Sequence, residues 1–204
     1  MKINGADEEI SIRRQGGCLW IRCSDYPMPP DDIDGFAAEE LVLHDNIANL
    51  ITPTDINCLS AMQFAVDVHR VKSIIVCGHY ECRGIKLAMG NCRLEFLGNW
   101  LKPIGRTARK YEASLSGIGD QTKRLDALCE LNVIEQVVNV CRSAVIGEAW
   151  RRGQELSIGG LIYNKQTNLI SDLNIRVESD TQLSSNYETA ISRFKSRWQL
   201  RPDN

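Results

Sequence analysis

Short apolar runs alternate with longer stretches of helical periodicity along this chain. Residues 18–23 (Cys-Leu-Trp-Ile-Arg-Cys) read as a buried strand that ends in a polar turn. Residues 40–44 give a second short strand, and residues 71–77 (Val-Lys-Ser-Ile-Ile-Val-Cys) a third. The third is rich in β-branched residues, as a strand buried on both faces requires. Gly78 is expected to end it. Residues 156–163 and 169–177 complete the strand set. Between these strands, Ile56, Leu59, Met62, Ala65 and Val66 mark a helix over 54–69. A second helix begins near Cys82 and ends near Met89. Residues 91–122 predict helical segments with turns at Gly98, Pro103 and Gly117–Gly119. The longest helix is predicted over 126–150, on Leu128, Leu131, Ile134, Val137, Val138 and Cys141. An amphipathic helix over 187–200 closes the pattern. Strands that alternate with helices imply an α/β domain with a mostly parallel sheet. Residues 18–204 form that single domain, and residues 1–17 a short N-terminal arm. The run Tyr26-Pro-Met-Pro-Pro-Asp-Asp32 is irregular, because three prolines remove backbone donors and restrict their neighbours.

Composition adds boundaries. A length of 204 residues fits one domain with a real core. The formal net charge is −2, whereas nucleic-acid and anionic-membrane binders are usually basic, so neither partner is expected. No apolar run approaches the roughly 18 residues of a membrane span, and residues 1–17 lack a signal-peptide stretch. A cytoplasmic location is the expectation. The eight cysteines then read as reduced thiols, some packed as small hydrophobes and a few available to a metal.

Two strand ends carry metal-ligand chemistry. Cys23 and Asp25 follow the first strand; His79 and Cys82 follow the third. Ligands in open α/β sheets collect beyond the carboxyl ends of strands. Two thiolates and an imidazole suit tetrahedral zinc. A His-x-x-Cys turn can aim both side chains at one ion, with Cys82 at a helix N-terminus that favours a thiolate. On spacing alone, core cysteines and a strand-end histidine are an equal reading. The other cysteines, His44 and His69 read as structural.

Five blocks in order, Leu19-Trp-Ile-Arg-Cys-Ser-Asp25, His44-Asp-Asn-Ile-Ala-Asn49, Asp55-Ile-Asn-Cys-Leu-Ser60, Ile75-Val-Cys-Gly-His-Tyr-Glu-Cys82 and Arg124-Leu-Asp-Ala-Leu-Cys-Glu-Leu-Asn-Val133, resemble the β-carbonic anhydrases of the bacterial, plant-type branch. The resemblance spans residues 18–177. It implies the β-carbonic anhydrase fold, zinc on Cys23, His79 and Cys82, and Asp25 as both catalytic carboxylate and conditional fourth ligand. It also implies carbon dioxide and bicarbonate as substrates, and a homodimer or homotetramer. Zinc lowers the pKa of bound water to about 7, which supplies the nucleophile for carbon dioxide.

The same resemblance places an arginine partner for Asp25 at position 27, where this chain has proline. Asp25 is therefore expected to lack its partner and to compete for the metal, which would weaken hydration. Around the site, Arg22, Tyr26, Asp45, Glu81 and Arg83 depart from the family pattern and are the candidate pocket residues. Arg22 or Arg83 could replace the lost arginine. Asp45 would repel an anion from the regulatory bicarbonate site that Trp20 and Tyr163 imply. The short arm suggests a less intertwined dimer. Three readings follow: carbon dioxide hydration, the same zinc chemistry on a more polar substrate, and a non-catalytic zinc protein.

Overall fold

The run Cys18–Cys23 (β1) is buried at every position, so it lies inside a sheet and not at its edge. The computed structural model describes residues 16–26, 40–90 and 92–199. β1 pairs in parallel with β2 (Leu41–Asn46) on one side and with β3 (Ser73–His79) on the other. β4 (Ser157–Asn164) adds in parallel to β3. β5 (Leu169–Val177) turns back antiparallel onto β4, because the tight connection after Asn164 leaves no length for a crossover. The order is β2-β1-β3-β4-β5, the mostly parallel sheet that the strand pattern predicted. The chain leaves β1 in one direction to form β2 and returns to its other side to form β3. The β1/β3 pair is thus the place where strand order reverses, and a crevice opens beyond its carboxyl ends.

Helices α1 (Ile56–Gln63), α2 (Arg83–Met89), α3 (Glu95–Lys110), α4 (Glu112–Ser116), α5 (Gln121–Cys141), α6 (Ala144–Arg151) and α7 (Leu183–Gln199) accompany the sheet. None is long and apolar enough to cross a membrane. The central one is α5, which packs on β3, β4 and β5 and also meets α3 and α7. Burial therefore runs around most of it and includes Glu130, Asn132 and Gln136. The second, smaller apolar cluster, with Trp20, Cys77, Leu161 and Tyr163, lies apart from the main core. Alternation along β1 separates the two, with Leu19, Ile21 and Cys23 on the main-core side.

Several expectations are corrected. The long helix over 126–150 is two, because Ser143 stops the first and caps the second by accepting the Ile146 N–H. Gly98 and Pro103 are not turns: α3 runs through both, held by Leu101, Ile104 and Thr107 packed inward. Gly78 does not end β3 but lies inside it. A Cβ there would stand 2.5 Å from Val133 Cγ2 of α5, so glycine is what lets the helix approach. Pro27 and residues 1–15 of the short arm expected over residues 1–17 lie outside the described residues.

Candidate metal centre

Cys23 is the last residue of β1, His79 the last of β3, and Cys82 caps the start of α2. Parallel pairing of β1 with β3 brings these ends together, so that the two Sγ atoms and a ring nitrogen all lie within 4.8 Å of one another. The sulfurs are 3.7 Å apart, and all three side chains are buried. His79 Nδ1 lies 2.9 Å from the Tyr80 carbonyl oxygen, which can only accept, so Nδ1 carries the proton and Nε2 keeps its lone pair. Nε2 is buried and has no hydrogen-bond partner. A buried polar atom left in this state costs free energy, and a metal ion would satisfy it.

The surroundings favour a thiolate. Cys23 Sγ receives the Ala48 N–H at 3.2 Å and the Asp25 N–H at 3.4 Å. The Cys82 thiol, above all, holds Cys23 below the ordinary thiol range; burial opposes this, and His79 and the Asp25 N–H assist. Cys82, as the partner that keeps the shared proton, is pushed up. Burial works against a charged His79, but the neighbouring Cys23 outweighs it and raises its pKa. A divalent cation replaces the shared protons in such a cluster, and two sulfurs with one imidazole fit zinc.

Arg83, the first residue of α2, reaches Asp25. Its backbone N–H donates to Oδ2 at 2.9 Å and its Nε–H to Oδ1 at 2.5 Å. Burial would raise the Asp25 pKa, but the Arg83 N–H and guanidinium prevail and hold the carboxyl below the usual range. The expectation of an unpaired Asp25 is thus corrected. Of the two arginines offered as replacements, it is Arg83, from α2 and far from Pro27 in the sequence, that takes the place. Asp25 Oδ2 remains 3.8 Å from His79 Nε2. Arg22 is not the substitute. It spends Nε and one terminal nitrogen on the two Asp45 oxygens, each at 2.7 Å, across the β1–β2 register. Asp45 is accordingly neutralised, contrary to the repulsive role expected of it. Tyr26 faces the site: its ring centroid is 5.9 Å from that of His79 and 5.4 Å from that of Tyr163. Glu81 turns to Lys165, at 2.6 Å, and to Gln166 on the β4–β5 connection.

The family model described as carbonic anhydrase matches residues 18–170. The chain belongs to the β-carbonic anhydrase family. A carbonic anhydrase of Emericella nidulans is 36% identical over 175 residues, which cover 84% of this chain and 77% of that protein. Among solved structures, the Coccomyxa β-carbonic anhydrase in complex with acetazolamide superposes with a TM-score of 0.77 at 29% identity, over 89% of this chain and 85% of the other. A tetrameric β-carbonic anhydrase from Sordaria macrospora gives 0.73 at 31% identity, over 80% and 83%.

This β-carbonic anhydrase also brings together His44, Asp55 and Cys58, with ligand atoms within 4.8 Å. Their partners agree with the structural role read from sequence. Asp55 caps α1 through the N–H groups of Asn57 and Cys58, His44 Nε2 sits 3.3 Å from the Asn46 amide, and burial together with Asp55 pushes the Cys58 thiol up to about 12. Sequence reasoning missed the supports of the metal centre. Ala48 offers its N–H to Cys23 from a left-handed conformation (φ 64°). Asn132 of α5 holds the Ala48 carbonyl at 2.9 Å, and Gln136 accepts the Ile51 N–H at 2.9 Å. The only signal was polar residues on an otherwise apolar helix.

Proposed function

We propose that this β-carbonic anhydrase interconverts carbon dioxide and bicarbonate at a zinc held by Cys23, His79 and Cys82, with Asp25 as the catalytic carboxylate. When bound there, zinc supplies a Lewis acid at which water ionises near neutral pH. The chain's own residues do the rest. The Tyr80 carbonyl fixes the His79 tautomer. The N–H groups of Ala48 and Asp25 stabilise the Cys23 charge. Asp25, held by Arg83, stands beside the ligand set as an acceptor for a proton or a water hydrogen.

The observation that carries this reading is the Asp25–Arg83 pair. A carboxylate engaged by two donors of one residue is held back from the ligand set, so a zinc on Cys23, His79 and Cys82 would keep a position for water, as a catalytic zinc site requires. This supports efficient hydration, where Pro27 alone suggested a weak enzyme. The more polar substrate loses its support, since Arg22, Asp45, Glu81 and Arg83 are all engaged within the chain. Stopped-flow hydration near neutral pH is the test. Wild-type protein should hydrate carbon dioxide, and Arg83→Ala should lower kcat/KM by about tenfold with zinc retained, the scale of one charged hydrogen bond. Hydration unchanged in Arg83→Ala would remove Arg83 from the mechanism. No hydration at full zinc content would favour a different substrate or a non-catalytic role.

The working form is proposed to be a homodimer or homotetramer. Ile56, Phe64 and Val68 are large apolar side chains exposed along α1 and its continuation (77%, 49% and 66% exposed), a surface that a second copy would cover. The Sordaria relative is described as tetrameric. The eight unpaired thiols support a reducing, cytoplasmic setting.

A further inference from the structure

Away from the metal centre, α3 and the segment that leads into it form a groove of about 570 Å³. That is the size of a small-molecule site. Arg93, Lys102, Arg106 and Arg109 line it, with Glu95 as the sole acid among the lining residues. Several cations elsewhere in the chain are matched with acids, as Arg152 with Asp67 and Arg197 with Glu130, while others such as Lys86 and Lys123 stand singly among the described residues. None of the four that line the groove has an ion pair or hydrogen bond among the described residues.

The arrangement opposes helix stability. Lys102 and Arg106 are four residues apart and Arg106 and Arg109 three, so like charges face one another along one stripe of α3. Arg109 lies in the last turn, where the helix dipole welcomes a cation. That accounts for Arg109 but not for Lys102, Arg106 or Arg93. Gly105, between Lys102 and Arg106 in the sequence, adds no bulk to the lining: a Cβ there would find only the Arg109 guanidinium, at 3.7 Å.

We propose that this groove binds a linear polyphosphate, either free or as the tail of a nucleotide. Guanidinium forks match phosphate oxygens in pairs. The stripe from Lys102 to Arg109 runs about 10 Å along the helix at 1.5 Å per residue, a line that linked phosphates can follow. A long nucleic acid fits worse, since the groove is confined and the chain as a whole carries a formal charge of −2.

Calorimetric titration of the zinc-loaded full chain with inorganic tripolyphosphate, at physiological salt, tests the assignment. Tripolyphosphate should bind at least tenfold tighter than sulfate at matched ionic strength, and raise the melting temperature. Arg106→Gln should lose at least tenfold of that affinity and most of the thermal shift. Without ligand it should melt no lower than wild type, because a repulsion has been removed. Arg151→Gln, on a distant helix, should bind as wild type does. A nucleoside triphosphate that binds tighter than tripolyphosphate assigns the nucleotide form; equal binding assigns the free form. Affinity no better than that of sulfate, affinity unchanged in Arg106→Gln, or tighter capture of a single-stranded oligonucleotide would each overturn the proposal.

Discussion

Glu81 holds a backbone conformation that a side chain resists. Its φ is +55°, in the left-handed region, between the metal-centre residues His79 and Cys82. That conformation costs about 1 kcal/mol for an ordinary residue. The local return is an N–H bond to Asp126 Oδ1 at 3.0 Å, and an ion pair with Lys165 that, lying near the surface, contributes little. Glu81→Gly keeps the N–H bond and relieves the strain, so we expect it to stabilise the protein by about 0.5–1 kcal/mol. Chemical denaturation at constant slope checks this, and a loss of stability would show that the Lys165 contact matters more than the backbone. At this scale, Cys23, His79 and Cys82 were readable because the resemblance to the β-carbonic anhydrases singled them out; spacing alone left a core role equally open. The Asp25–Arg83 pair was readable only as one of two alternatives, Arg22 or Arg83, because the choice depends on which two strand ends meet. The bent turn at Ala48 was hidden, since alanine gives no sign of a left-handed backbone.

Helix α7 reaches the metal centre through one buried carboxylate. Glu130 of α5 is 1% exposed and accepts from three groups: Tyr80 Oη at 2.6 Å, Arg197 at 3.1 Å and Trp198 Nε1 at 3.1 Å. Tyr80 is also the residue whose carbonyl fixes His79. The last turn of α7 therefore neutralises the acid that anchors the 79–82 turn. Removing one partner of a buried charge leaves it uncompensated, at a cost of several kcal/mol where burial is complete. Arg197 is itself about one-third exposed, so the loss is smaller. We expect Arg197→Ala to lower stability by about 1–2 kcal/mol and to speed zinc release to a chelator. Unchanged release would detach α7 from the site. The periodicity of residues 187–200 revealed this helix, though it begins earlier, at Leu183. Periodicity could not show the break at Ser143, where a single hydroxyl decides, nor the passage of α3 through Pro103, where inward packing outweighs one missing hydrogen bond.

For the molecule as a whole, the alternation of strands and helices was sufficient for the fold class, because buried parallel strands leave continuous apolar runs. The sequence held less about what lies outside one chain. Exposed Ile56, Phe64 and Val68 become conspicuous only when Cys58 and Met62 are seen to form the inward face of α1. Light scattering at micromolar concentration should report a dimer or larger, and Phe64→Glu should shift it toward monomer. A stable wild-type monomer would contradict the assembly. The placement of the ligands on two different strands also bears on how the protein comes to be made. Cys23 and His79 stand 56 residues apart in the sequence, and nothing holds them together until β1 and β3 have paired. An emerging or unfolded chain offers only the His79–Cys82 pair, with the third ligand across a long loop whose closure costs entropy. The metal therefore recognises the finished sheet and not its precursor. Each ion captured withdraws a molecule from the unfolding equilibrium, so the supply of zinc in the cell sets how much of this protein survives as well as how much of it works.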